Sequence, residues 1–440
     1  MPIVARPRLL VVLLAVVLAG ATVPAANASS AGRTPVIFVH GQQGSAQQWQ
    51  SNAKRFSSNG YPDRLLHAYE YDTSIPTNDA AVAGLDGFIA AVLARTGASA
   101  VDVIAHSRGT SVVQTYLATP ERAALVRRYV NVDGQSSATP PGGVPTLALW
   151  GSLQPNGSIG GATNVYLPLL GHTETTTSAE GFGHIYRFLN GRGAATTSVR
   201  PEPPALVRIA GRAVYFPQNQ GAAGLLRVWE LDDRTGARRV ARQSVQVGSD
   251  GAFGPLRVNG RKHYELALER EGQRSYHFYF EPFERSDLFL RLQVSGPGGV
   301  GDLVDKCAGS SAFTVVRNRE WWADQATDND RLAFNGVDLL SPAVAPRARQ
   351  VIAGFAFDDN CDGVSVPGTP LPPFGSLPFL TGVDTYLPAQ PDADGSIRVT
   401  ETARGSGGRS RTVAVPNWPS DRNAISLQFK DYLDRAFGGR

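Results

Sequence analysis

The sequence predicts a mostly parallel sheet with helices on both faces over residues 33–190, followed by an all-β region of two sandwich-like modules. Three observations predict it. Short continuous apolar runs alternate with segments of helical period up to about residue 190, the pattern of strands buried on both faces. A stretch rich in Thr and Pro, from Ala195 to Pro204, then reads as a linker. Beyond it, strand-like segments are punctuated by the hairpin dipeptides Asp250-Gly251, Asn259-Gly260, Asn335-Gly336 and Asp394-Gly395.

The elements follow in order. Val36-Ile37-Phe38-Val39 is a continuous β run ending at His40-Gly41. Ser45 caps a helix carrying Trp49, Ala53 and Phe56 that ends at Asn59-Gly60. Leu65 to Tyr71 reads as a second strand, and Asn78 as the cap of a helix through Ala81, Leu85, Ile89 and Leu93. Val101 to Ala105 is a third strand and Arg108 to Leu117 a helix. Tyr129 to Val132, Thr146 to Trp150 and Val165 to Leu169 supply three more strands, and Ser178 to Leu189 a closing helix. In the β region, the run from Gly224 to Leu231 and Tyr276 to Phe280 are strand-like. The expected division is 1–28, 29–194, a linker at 195–204, then 205–285 and 286–440, with the last boundary drawn in Pro282 to Asp287.

The first 28 residues read as an export signal. Arg6 and Arg8 precede the apolar run Leu9 to Ala21, and Ala26-Asn27-Ala28 is a small-residue exit. After cleavage no integral membrane segment is expected, and the protein is expected outside the cell. The 42 Lys and Arg against 38 Asp and Glu give a formal charge of only +4, which falls by two when Arg6 and Arg8 leave. That excludes a broad nucleic-acid surface as the main function. The two cysteines are too few for a disulfide framework or a cysteine-rich zinc module. An oxidising exterior predicts a Cys307–Cys361 disulfide.

The chemistry is expected at Ala105-His106-Ser107-Arg108-Gly109, where a strand turns sharply into a helix. Small residues two positions either side of a serine permit that turn, which lifts the hydroxyl off the sheet. Ala105 stands where a glycine is usual. A serine needs a base to take its proton. Among the histidines after Ser107, His184 lies within the closing helix and His263 and His277 lie in the β region. His172 follows a late strand, in a loop that can reach the serine, and is the expected base. Between Ser107 and His172 the only acids are Glu121 and Asp133; Asp133 ends the fourth strand and is the expected partner of His172. The oxyanion hole is expected from the backbone N–H groups of Arg108 and Gln42, with Gln43 as the alternative. His40, Gly41, Ala105, His106 and Gly109 support the loop and turn. As backbone donors, Gln42 and Arg108 are expected to tolerate variation in their side chains. No metal or organic cofactor is required. The run Asp358-Asp359-Asn360-Cys361-Asp362-Gly363 begins like a calcium loop, but Thr369 replaces its last ligand, so a polar turn is expected. Trp321-Trp322 and the Tyr276 to Phe280 stripe are expected in the core.

Phe38-Val39-His40-Gly41, the Ser107 elbow, Val132-Asp133-Gly134, Ala162 to Tyr166 and Gly171-His172 resemble bacterial and archaeal triacylglycerol lipases of the α/β-hydrolase superfamily. The Ala-x-Ser-x-Gly elbow is similar to that of small bacillus-type lipases. Ser58 to Pro62 and Glu70 to Thr73 resemble a group in which a β-rich, lipid-binding domain follows the catalytic one. The resemblance implies the α/β hydrolase fold, carboxylic ester hydrolysis through an acyl-enzyme, and Ser107, Asp133 and His172 as the triad. Lid-bearing relatives insert a long helical segment where this chain has only Asp72 to Ala100, so no large lid is expected. Polar Gln42, Gln43 and Arg108 argue against a preference for long acyl chains. The partner implied is an ester, with a lipid interface or polymer surface met by the β region. A polyester depolymerase and a non-catalytic surface-binding protein are the rival readings.

Overall fold

In the computed structural model, which describes residue 2 and residues 33–432, the first strands are short, apolar and buried on both sides. The export-signal reading lies outside the described residues. β1 (Val36–Val39) is followed by α1 (Gln50–Ser58), β2 (Leu66–Tyr69), α2 (Asp79–Thr96), β3 (Val101–His106) and α3 (Arg108–Leu117). Then come α4 (Pro120–Ala123), β4 (Val126–Val132), β5 (Thr146–Trp150), β6 (Thr163–Tyr166), α5 (Glu174–Thr177) and α6 (Ala179–Asn190). All six strands are parallel, in the order β2-β1-β3-β4-β5-β6.

Alternation along the strands explains the two helical layers. Ile37, Val39, Val103 and Ala105 pack against Leu85, Ile89, Val112 and Val113 of α2 and α3. Val36, Phe38, Ile104 and Val130 face the other way, against Phe56 of α1 and Phe182 and Ile185 of α6. Ser45 caps as expected, accepting the Gln47 N–H, and Ser178 caps α6, accepting the Gly181 N–H. Asn78 does not cap α2; its Oδ1 accepts the Arg108 Nε–H instead. The sixth strand ends at Tyr166 rather than Leu169, because the chain turns at Leu167 and leaves Leu169 82% exposed.

The β region contains β7 (Arg208–Phe216), β8 (Gly224–Leu231), β9 (Arg238–Val247), β10 (Ala252–Arg257), β11 (Tyr264–Glu269), β12 (Ser275–Phe280) and β13 (Asp287–Ser295). It continues with β14 (Phe313–Val316), β15 (Arg331–Phe334), β16 (Val337–Asp338), β17 (Ala353–Phe357), α7 (Pro372–Gly375), β18 (Leu380–Asp384), β19 (Ser396–Thr402), β20 (Ser410–Pro416) and β21 (Asn423–Gln428). A three-stranded sheet, β10-β7-β13, and a four-stranded one, β16-β15-β19-β20, flank an eight-stranded sheet, β18-β17-β14-β21-β12-β11-β8-β9. Strands from both sides of the Pro282 to Asp287 stretch share the large sheet, joined where β12 pairs in parallel with β21. Its two faces feed two cores. Tyr276, Phe278 and Phe280 of β12 enter one with Leu226, Leu266 and Leu292, while Tyr279 enters the other with Phe313, Trp321 and Leu427. The aromatic stripe is therefore core on both sides, and Trp321 and Trp322 are buried as well.

Among the described residues, the chain from Thr34 onward packs as one compact unit. The Phe289 ring of β13 meets the Phe38 ring of β1 edge-on at 5.9 Å. Lys54 Nζ lies 2.8 Å from Asp287, and Arg291 and Arg212 both bind the Glu70 carboxylate. Cys307 and Cys361 form a disulfide.

Candidate active site

The carboxyl ends of β1, β3, β4 and β6 bring the expected residues to one rim of the parallel sheet. Ser107 sits between β3 and α3 with φ 51° and ψ −125°, a conformation that L residues adopt at a cost of about 1–3 kcal/mol and that clusters at functional turns. Its amide donates to the Val132 carbonyl at 3.1 Å, which tethers the turn to β4. The space behind it requires glycine: a Cβ on Gly109 would lie 2.4 Å from the His40 carbonyl oxygen, and one on Gly41 2.9 Å from the Ser107 Cβ.

His172 lies in the loop between β6 and α5. Its Nδ1 is 2.6 Å from Asp133 Oδ2. Asp133 is fully buried beyond the end of β4, with φ 45°, and its Oδ1 accepts the Gly151 N–H at 2.6 Å. Glu121, the other candidate acid, is exposed in α4, just before β4 and so at the opposite rim. His184 is half-buried on α6, and His277 is buried in the large sheet against Glu265. Ser107, His172 and Gln42 line a single cavity of ≈ 140 Å³.

The supporting histidines are neutral struts. Burial lowers the His40 pKa to about 4, its Nε2 accepts the Tyr71 N–H, and its ring stacks on Tyr71 at 4.4 Å. Burial, reinforced by the nearby His172, holds the His106 pKa well below its usual value. Gln48 donates to His106 Nδ1 at 2.8 Å, so the Nε2–H donates to the His172 carbonyl at 3.0 Å.

Neither the Gln42 nor the Arg108 backbone N–H donates to an acceptor among the described residues, whereas the Gln43 N–H is taken by Thr73 Oγ1. Their side chains, expected to be free to vary, are engaged. The Arg108 guanidinium donates to Gln42 Oε1, Asn78 Oδ1 and the carbonyls of Thr73, Ile75 and Thr77. It thus straps the segment before α2 against the elbow, where the sequence leaves room for no large lid. Gln42 and Arg108 satisfy one another at the cavity edge, whereas the buried Gln43 Oε1 has no hydrogen-bond partner among the described residues.

Two groups of residues had no signal in the sequence. The cavity walls come largely from the β region, including Val304, Phe313, Ile352, Phe355, Phe379 and Ile425, and the Phe379 ring faces the His172 imidazole at 6.3 Å. A buried ionic cluster backs the His172 loop. Glu174, on that loop, pairs with Arg319 and Arg404, whereas Asp330 and Glu401 pair with Arg317. The buried Glu320 carboxylate accepts the N–H groups of Thr173, at 2.5 Å, and Glu174, at 3.1 Å. Among the described residues no group of three or more His, Cys, Asp or Glu side chains is placed to hold a metal ion, and Asp358 accepts the Gly363 N–H within its own turn.

The sequence model of the family described as Lipase (class 2) matches residues 33–120, and that of the Lipase C-terminal domain matches residues 205–297. These two matches support a lipase of the α/β-hydrolase superfamily with a C-terminal domain. A third model, described as a C-terminal domain, matches residues 299–433. The lipase models also support a carboxylic ester hydrolase in the broad sense. Among solved structures it is similar to Aspergillus fumigatus lipase B, with 16% identity over 38% of this chain and 55% of that one and a TM-score of 0.31. It is also similar to the Bacillus licheniformis lipase BlEst2 in its propeptide form, with 11% identity over 87% and 93% and a TM-score of 0.29. A predicted CIB-like hydrolase from Thermoplasma acidophilum matches with 19% identity over 36% and 86% and a TM-score of 0.27. With scores this low, the family assignment rests on the domain models.

Proposed function

We propose that this chain is an exported serine hydrolase that cleaves acylglycerol-type carboxylic esters through Ser107, His172 and Asp133. The observation that carries the reading is the 2.6 Å contact of His172 Nδ1 with a buried Asp133, in the same cavity as a serine on a strained strand–helix turn. His172 Nε2 takes the Ser107 proton as Oγ attacks the ester carbonyl, and Asp133 steadies the imidazolium. The N–H groups of Gln42 and Arg108 receive the oxyanion. His172 then protonates the leaving alcohol, and water, deprotonated by His172, releases the acid and restores Ser107 Oγ–H. The Cys307–Cys361 disulfide supports an oxidising destination, in line with the N-terminal segment.

The cavity supports an apolar acyl chain. Its ≈ 140 Å³ is close to the roughly 150 Å³ of a dry engineered cavity that binds benzene, so an acyl chain of about six carbons fills it. Ser107→Ala is expected to abolish p-nitrophenyl ester turnover in a folded protein, and Asp133→Asn to lower kcat by about 10⁴-fold. Unchanged turnover in Ser107→Ala would overturn the reading. Across a p-nitrophenyl ester series kcat/KM is expected to peak at short to medium chains, whereas a steady rise to long chains would remove the cavity from the account.

A further inference from the structure

We propose that Glu320, contributed by the C-terminal β region, is a positioning residue for the reaction: it holds His172 in register with Ser107. The inference rests on the assignment of His172 as the general base. Two consecutive residues after His172 turn their backbone N–H groups toward one carboxylate, that of Glu320. Glu320 is fully buried, and among the described residues no guanidinium is hydrogen-bonded to its carboxylate. Its backbone is held instead: Arg317 and Arg404 both donate to the Glu320 carbonyl. Arg317 is fixed in turn by Glu401 and Asp330, all three fully buried, so the carboxylate stands on a rigid base.

The approach is close. A Cβ on Gly171, the residue before His172, would lie 2.3 Å from Glu320 Oε2, so only glycine lets the carboxylate lie over this loop. From the other side, the His106 Nε2–H and the Thr175 hydroxyl both donate to the His172 carbonyl. The backbone around His172 is thus clamped between the α/β sheet and the β region, and the Glu320 bonds span 146 and 147 residues of sequence. A carboxylate in this position accepts twice and donates nothing, which suits two N–H groups. Burial, and then the neighbouring Glu174 charge, raise its pKa, and the Thr173 N–H, its own backbone N–H and the Arg404 charge oppose that rise. A base displaced by about 1 Å loses on the order of 100-fold in rate without losing substrate.

The test uses the full mature chain carrying Glu320→Ala or Glu320→Gln, with Ser107→Ala as control. Turnover of a short p-nitrophenyl ester gives kcat and KM separately, a fluorophosphonate probe reports serine reactivity, and circular dichroism reports folding. Glu320→Ala is expected to lower kcat about 100-fold at unchanged KM, with a parallel fall in labelling rate. Glu320→Gln keeps the shape and one acceptor but turns an N–H₂ toward the second N–H, so a fall of about tenfold is expected. If Glu320→Ala does not fold, Glu320→Gln decides alone. Folded Glu320 variants with kcat within twofold of wild type, or with a change only in KM, overturn the proposal while an inactive Ser107→Ala leaves the triad standing. An active Ser107→Ala overturns the triad, and the role of Glu320 with it.

Discussion

Ser107 and Gly109 illustrate how much a residue's backbone can reveal about its task. Ser107 adopts φ 51° and ψ −125° because the strand ends one residue before it and the helix begins one residue after. Gly109 is the residue that lets the turn lie on β1, since any Cβ would be 2.4 Å from the His40 carbonyl oxygen. That atom is backbone and cannot swing aside. Gly109→Ala is therefore expected to lower kcat by about 100-fold or more through displacement of Ser107, or to prevent folding. Steady-state kinetics on the soluble variant, checked against circular dichroism, reads the difference, and wild-type kcat would show that the turn tolerates the methyl group. These residues were legible in the sequence because small residues two places either side of a serine, at a strand–helix junction, are a local geometric requirement. Ala105 satisfies the same requirement in place of glycine and is fully buried. The side-chain role of Arg108 was not legible, because its carbonyl acceptors at Thr73, Ile75 and Thr77 carry no side-chain signature.

At the scale of elements, the second strand is joined to the β region by charge. Just past β2, Glu70 receives Arg291 of β13 and Arg212 of β7. Burial alone would raise the Glu70 pKa, but Arg291 and the Ala46 N–H more than reverse it, to about 2. A carboxylate whose folded pKa is depressed contributes stability that is complete above its unfolded pKa of 4.5 and is lost as pH falls toward 2. The contribution is about 3 kcal/mol at neutral pH. Glu70→Gln is expected to lower the melting temperature at pH 7, with the gap to wild type closing between pH 4.5 and 2. Calorimetry across that range checks it, and a gap that stays constant in acid would mean that Glu70 acts through packing alone. Strand and helix order in the first half was readable from hydrophobic period, yet the arginine partners of Glu70 lie 142 and 221 residues away, beyond any local pattern.

For the whole molecule, the β region is part of the architecture of the candidate site. It supplies most of the cavity wall, the Phe289 ring against Phe38, and the cluster behind the His172 loop. Residues 29–194 expressed alone are expected to lose turnover of soluble short esters as well as of emulsified triglyceride. Both assays beside the full chain test this, and retention of soluble-ester turnover would restrict the β region to surface binding. The sequence reading divides the β region near Pro282 to Asp287. The strands on the two sides of that stretch nonetheless join in one sheet through β12 and β21, a pairing across about 150 residues that neither segment announces.

The sequence by itself determined the parallel sheet, the elbow at Ser107 and the order of the candidate serine, acid and histidine, because each strand, turn and loop that carries them shows in a local pattern. It also favoured Asp133 over Glu121 as the acid, by scarcity and by its place at the end of a strand. Only the tertiary structure decided the 2.6 Å approach of Asp133 to His172, what walls the cavity, and that Glu320 lies over the His172 loop. Those outcomes arise from side chains far apart in the chain that meet through packing and buried charge, and such meetings leave no spacing to read.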